Sequence, residues 1–130
     1  VSTANYNALA GALLTRGKLQ PDGSSIGTGA TLSQTVNVSG VDELVVLVDM
    51  TGAANGDLAV TVVPVEADNA TVMALPLTAQ ASSGPTFGSG KVQYYGKFDV
   101  SAFEFVQVQI KNNNAGTQTL TRASWRSAGT

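Results

Sequence analysis

The sequence predicts an all-β protein, a two-sheet antiparallel β-sandwich of jelly-roll or Greek-key type with about eight strands and an N-terminal arm. Three observations carry this. Apolar and polar residues alternate over long stretches, as where Val106, Val108 and Ile110 are set between Gln107, Gln109 and Lys111. Clusters rich in Gly, Asn and Ser, at 51–56 and 112–116 among others, punctuate those stretches at short intervals. The third observation is an internal echo at a shift of 62 residues. Val38-Ser39-Gly40-Val41 falls on Val100-Ser101-Ala102-Phe103, Leu44, Val46 and Val48 fall on Val106, Val108 and Ile110, and Ala53 falls on Ala115. Two matching halves folding over one core suit a sandwich, although any two amphipathic hairpins share alternating apolar positions.

Taken in order, residues 1–29 read as an arm or lead-in and 30–130 as a single sandwich domain. Tyr6, Leu9, Leu13 and Leu14 are the arm's apolar anchors, and Gly11 weakens the helical face that Leu9 and Leu13 would share. A segment with so few apolar residues buries little alone, so it is expected to dock on its own domain or to reach a neighbour. From Ala30 the apolar period becomes two, with Leu32, Val36 and Val38 ahead of a break at Gly40. Residues 44–48 are apolar without alternation, which predicts a central strand covered on both sides. The 51–56 stretch, with Asn55-Gly56, predicts a hairpin turn to a return strand carrying Leu58, Val60 and Val62, whose pairing Pro64 limits.

Residues 72–77 are expected to form a short strand interrupted by Pro76, and 79–90 a loop with Phe87 in its middle. In the strand at 92–98, Tyr94 and Tyr95 take opposite sides, so one enters the core. The 106–110 strand is one-sided, and the Asn-rich stretch after it predicts a hairpin loop that tolerates left-handed backbone. The return strand towards Trp125 alternates in two ways at once, so its period leaves the inward side open. The tail, 127–130, is expected to fray.

Composition narrows the function classes. Hydrophobic residues make up 43% of the chain and charged residues 12%, about half the usual share, so the polar surface is built from Ser, Thr, Asn and Gln. Such a surface repels copies and partners weakly. The chain lacks both Cys and His, which removes disulfides, thiolate metal sites, the usual zinc ligands and every Ser-His-Asp or Cys-His arrangement. With a net charge of −2 and seven scattered Lys and Arg, no basic stripe is seen for nucleic acid, and no apolar run reaches the roughly 20 residues that span a bilayer.

Candidate chemistry is sparse. The nine Asp and Glu show no acid-base spacing and read as solvated turn residues. Residues 68–70 and 112–114 offer too few oxygens for calcium, and 88–91 fails as a phosphate loop because Pro85 and Val92 stand where Gly and Ser or Thr are needed. No catalytic, cofactor or metal residue is therefore assigned. Binding falls to aromatics expected at the surface (Phe87, Trp125 and one of Tyr94 and Tyr95) and to Arg122 and Arg126, which would pair with acidic groups of a partner. The Gln-bearing side of 106–110 and the Asn-rich turn suit hydrogen-bonded contact with a partner surface.

The stretch FDVSAFEFVQVQIKNNNAG at 98–116, the TLTRASW that follows at 119–125, the low charge and the lack of Cys and His together resemble the capsid decoration (cement) proteins of tailed bacteriophages. That resemblance implies a non-enzymatic virion protein, made in the host cytoplasm, that binds the outside of an assembled capsid and stiffens it. The implied partners are the major capsid protein and the protein itself as a homotrimer, with no nucleic acid, membrane or cofactor. The residues expected to make contact are Tyr6, Leu9 and Leu13 of the arm together with Phe87, Tyr95, Arg122, Trp125 and Arg126. The alternative is a carbohydrate- or receptor-binding β-sandwich module of a tail fibre or secreted protein, with a glycan as partner.

Overall fold

The computed structural model describes residues 14–66, 72–73 and 75–129. They form nine strands and one turn of 3-10 helix. These are β1 Leu14–Gln20, β2 Ser24–Ile26, β3 Thr31–Asn37, β4 Val41–Thr51, the 3-10 turn Asn55–Asp57, β5 Leu58–Val65, β6 Ala81–Gly88, β7 Lys91–Asp99, β8 Phe105–Asn112 and β9 Gln118–Gly129. All pairings are antiparallel, in two sheets. The larger runs β1-β9-β4-β7-β6, with β2 also paired to β9, and the smaller runs β3-β8-β5. The connections from β2 through to β6 cross between sheets, as do those from β7 to β9. This is the winding of a jelly roll, and it bears out the all-β sandwich expected from the alternation.

The core is where alternating side chains of the two sheets meet. Leu44, Val46, Val48 and Met50 of β4 join Val106, Val108 and Ile110 of β8, with Val36, Leu58, Val62, Val92, Phe98 and Leu120 around them in one buried cluster. Each such side chain contributes about 1.5–3 kcal/mol when fully buried.

The 62-residue echo corresponds to an exchange of sheets. It carries β3, β4 and β5 onto β7, β8 and β9. In the larger sheet β4 lies between β9 and β7, and in the smaller sheet β8 lies between β3 and β5. Each half therefore supplies the central strand of one sheet and the two flanking strands of the other.

Several expectations change. Residues 14–20 and 24–26 already belong to the sandwich, ahead of the boundary expected at 30, because β1 and β2 pair with β9; Tyr6, Leu9 and Leu13 lie outside the described residues. β4 is central in its sheet, yet among the described residues nothing covers its outer side, where Leu47 is 39% exposed. The 79–90 loop is in fact strand β6, joined to β7 by a tight turn in which Ser89 and Gly90 both have positive φ, +53° and +79°. Seven of its eight residues are exposed, so no burial pattern announces it. Residues 72–77 make a single bridge, Val65 to Val72, in place of a strand. The tail does not fray before residue 129, since β9 runs to Gly129 and Ser127 is buried.

The two expected hairpin turns are arches between sheets. The first carries the chain from β4 to β5, the second from β8 back to β9, and side chains knit them together. The Asp57 carboxylate accepts bonds from the Ala53 and Ala54 N–H groups (2.6 and 3.0 Å) and from the Asn114 amide (2.8 Å). Asn114 Oδ1 accepts from the Gly116 N–H and the Gln118 amide, both at 2.8 Å, and the Thr51 hydroxyl donates to Gln118 Oε1 at 2.7 Å. Fully buried Asn112 donates to the carbonyls of Ile26 (2.9 Å), Gly27 (3.3 Å) and Gly116 (3.0 Å) and accepts from the Asn114 N–H (2.8 Å). Asn112 and Asn114 thus serve the fold and not a partner surface.

Candidate functional site

The outer side of the larger sheet is the surface on which chemistry collects. Register sets its rows. One row runs Arg16, Arg126, Val45, Lys97, Ala81; the next runs Lys18, Ser124, Leu47, Tyr95, Ser83; a third holds Arg122, Asp49, Gln93 and Thr86. Residues of β4 alternate strictly, so burial of Leu44, Val46 and Val48 sends Val45, Leu47 and Asp49 outward, and their strand partners follow. Two shallow hollows lie on this face and share Leu47, Arg122 and Ser124. One, of about 560 Å³, reaches Arg16, Lys18, Asp22 and Arg126. The other, of about 430 Å³, reaches Asp49, Ser83, Thr86, Gln93 and Tyr95.

The face is cationic along one side. Seven Lys and Arg scattered through the chain become, after folding, a group of five here: Arg16, Lys18, Lys97, Arg122 and Arg126. Lys18 pairs with Asp22 (2.7 Å) and Lys97 with Glu43 (3.1 Å). The hydrogen bond from Lys18 holds the Asp22 carboxyl below its ordinary value. Among the described residues Arg16, Arg122 and Arg126 make no ion pair of that kind, and Arg16 stands directly across from Arg126. Two like charges opposite each other on neighbouring strands cost stability unless something anionic covers them. Asp49 is the register partner of Arg122; its Oδ2 receives only a long 3.4 Å bond from Gln93, and its buried Oδ1 has no hydrogen-bond partner among the described residues.

Of the expected contact residues, Tyr95, Arg122 and Arg126 converge on this face. Tyr95 is the register partner of Leu47 and Ser83, while Tyr94 turns inward and packs on the core, where burial raises its phenol above the usual range. Trp125 does not join them at the outer surface. It pairs with Val46 on the inward side, packs on the core and covers Gly17, where a methyl group would lie 2.9 Å from three indole atoms. The reason is a bulge in β9. Asp49 pairs with Arg122 but Met50 pairs with Leu120, so Thr121 is skipped and the inward set changes from Leu120 to Ala123, Trp125 and Ser127. Phe87 is 42% exposed on β6, away from this face, and its N–H bonds to the Asn55 side chain at 2.7 Å. The sequence signal missed altogether was the Arg16–Arg126 pair, two cations far apart in the chain that only strand pairing brings together.

No three carboxylates are gathered to hold a metal ion among the described residues. No protein-family model matches the chain, and no curated protein matches it. Solved structures do. The SPBc2 prophage-derived protein YomS overlaps with a TM-score of 0.53 at 13% identity, over 89% of this chain and 93% of that one. The VP2 subviral particle of infectious bursal disease virus overlaps with a TM-score of 0.54 at 10% identity, over 89% of this chain but 32% of VP2. A xylan-binding CBM22 domain of Paenibacillus barcinonensis Xyn10C overlaps more loosely, with a TM-score of 0.49 at 10% identity. What the prophage and viral proteins share with this chain is the fold.

Proposed function

We propose that this protein is a non-enzymatic virion component that binds the outside of an assembled phage capsid and stabilises it. The observation that carries the reading is the uncovered outer face of the larger sheet, where Arg16, Arg122 and Arg126 line one hollow with Leu47 and Ser124, and Tyr95 stands beyond Leu47 on the next strand. An acidic patch of the major capsid protein laid over that face would relieve the Arg16–Arg126 repulsion and match its charge. The fold shared with a prophage protein and with a viral subviral-particle protein supports a virion setting. The lack of His and Cys in the whole sequence supports a role without catalysis. Binding the lattice and not the free subunit stabilises the shell by mass action, by about 2.7 kcal/mol per site at a free concentration 100 times Kd.

The test is co-sedimentation with empty shells assembled from a tailed-phage major capsid protein, the partner this reading requires. The wild type is expected to pellet with the shells, less so as salt rises. Replacing Arg16 and Arg126 together by Glu is expected to lower binding at least tenfold while leaving the fold intact. Failure of the wild type to pellet with expanded shells would sink the proposal. A second reading, a glycan-binding module, is favoured by Tyr95, which stands on the open hollow beside Gln93 and Arg122 as an amphipathic ring with polar neighbours. A glycan array bound by the wild type and not by Tyr95→Ala would select that reading.

A further inference from the structure

The two sheets end in four principal edges, and three of them carry devices that discourage further pairing. β1 bears Arg16 and Lys18 and a register shift after Lys18. β6 bears Gly84-Pro85 and a shift between Ser83 and Thr86. β5 bears Pro64, and its outer carbonyls at Pro64 and Val62 already accept the Met73 and Leu77 N–H groups (2.9 and 2.8 Å). Charges, prolines, bulges and covering chain are the usual ways of blunting an edge.

Among the described residues the remaining edge, β3, carries none of these. Thr31–Asn37 contains no charge, Pro or Gly and pairs with β8 in unbroken register over seven residues. The Val38 N–H bonds to Glu104 and the Ala30 carbonyl accepts from Asn112, which sets the phase of the strand. Even-numbered residues therefore direct their backbone groups to β8, and Thr31, Ser33, Thr35 and Asn37 direct theirs to the free edge. Among the described residues, the outward backbone groups of that row meet only the Gln34 side-chain amide, which reaches the Thr35 carbonyl at 3.4 Å.

We propose that this edge pairs with the same edge of a second copy, antiparallel, about a two-fold axis through Gln34. The segment is self-complementary in that register. Thr31 meets the second copy's Asn37 and Ser33 meets its Thr35, each as a pair that exchanges two backbone bonds, roughly eight bonds in all. On the inward side half-buried Leu32 meets Val36 of the other copy, and the two Gln34 amides meet at the axis. A strand without charge meets its own copy without repulsion, and the chain's low overall charge removes the long-range barrier as well. The three-stranded sheet then continues as six strands across two copies. The symmetry is two-fold, so this contact yields a dimer and not the threefold assembly that the resemblance to decoration proteins implies. The outer face of the larger sheet stays free in such a dimer, so the pairing stands apart from the proposed capsid binding.

The experiment is sedimentation equilibrium of the full chain from about 1 µM to 1 mM, a range that brackets modest self-association, with amide hydrogen exchange at β3. The wild type is expected to reach twice its 13.2 kDa mass, with protection of the Ser33 and Thr35 amides growing with concentration. Ser33→Pro removes an N–H that serves only the free edge and is expected to weaken dimerisation at least tenfold. Thr35→Lys puts a charge on the edge without touching the backbone and serves the same purpose if Ser33→Pro does not fold. A wild type that stays monomeric throughout overturns the proposal, whether its edge amides are exposed or protected by another part of the same chain. So does a dimer or trimer that both variants leave unchanged.

Discussion

Asn112→Ala is the substitution on which the structure makes its sharpest demand. The side chain is fully buried and ties the β2–β3 link to the second arch through bonds to Ile26, Gly27 and Gly116 and from Asn114. Three of the four lie between 2.8 and 3.0 Å. Each such bond is worth about 0.5–1.5 kcal/mol net, and a buried carbonyl left without its donor costs about 1–3 kcal/mol. The sum, discounted for relaxation and entry of water, is about 3–5 kcal/mol, a large part of the roughly 5–15 kcal/mol that holds a domain of this size. At roughly 3–5 °C per kcal/mol, Tm should fall by about 10–20 °C. Asn113→Ala is the control, because that neighbouring side chain is exposed and makes one long bond, 3.4 Å, to Gly56. It should cost less than about 0.5 kcal/mol. Urea unfolding of both variants followed by circular dichroism measures the difference. A cost below about 1 kcal/mol for Asn112→Ala, or equal costs for the two, would refute the account of the arches.

Further outcomes follow from the same contacts. Gly17→Ala drives a methyl group into the indole of Trp125 and should cost about 1–3 kcal/mol; the chain has one Trp, so its fluorescence reports the displacement directly, and an unchanged spectrum would contradict it. Leu44→Ala, in the core, should cost about 2–5 kcal/mol, whereas Leu47→Ala, on the open side of the same strand, should stay within about 0.5 kcal/mol in chemical denaturation. The Asp57 carboxyl is held below its ordinary value, first by the Ala53 N–H and then by the Asn114 amide. Its contribution is therefore present above the unfolded carboxylate pKa, about 4, and is lost as pH falls through the lower folded value. Acid titration of Asp57→Asn should accordingly show a shallower loss of stability below about pH 4 than the wild type; identical acid limbs would count against it.

The parts of the fold legible in the sequence were those written in local alternation. The one-sided β8 and the opposite sides taken by Tyr94 and Tyr95 follow from a period of two, and the central place of β4 follows from its unbroken apolar run at 44–48, although one side of that run is open. What escaped was set by partners distant in the chain. Residues 51–56 and 112–116 have the composition of hairpin turns, and nothing local says whether the next strand pairs beside the last or crosses to the other sheet. The decision lies in inward-turned Asp57, Asn112 and Asn114, whose bonds span the two arches. β6 was invisible because an exposed edge strand needs no apolar side, and the inward side of β9 because its bulge joins two registers. Of the candidate site, Arg122, Arg126 and Tyr95 were legible as residue types, while their convergence with Arg16 and Leu47 needed the strand order.

The exchange of central strands between the two halves also bears on how this chain can become folded. Because β4 is flanked by β7 and β9, and β8 by β3 and β5, neither the β3–β5 half nor the β7–β9 half can complete a sheet by itself. Apart from the β6–β7 hairpin, every strand pairing joins residues at least 40 positions apart, a topology that folds slowly and all at once. A chain cut between β5 and β6 should give two fragments that are unstructured apart and assemble into one native sandwich when mixed.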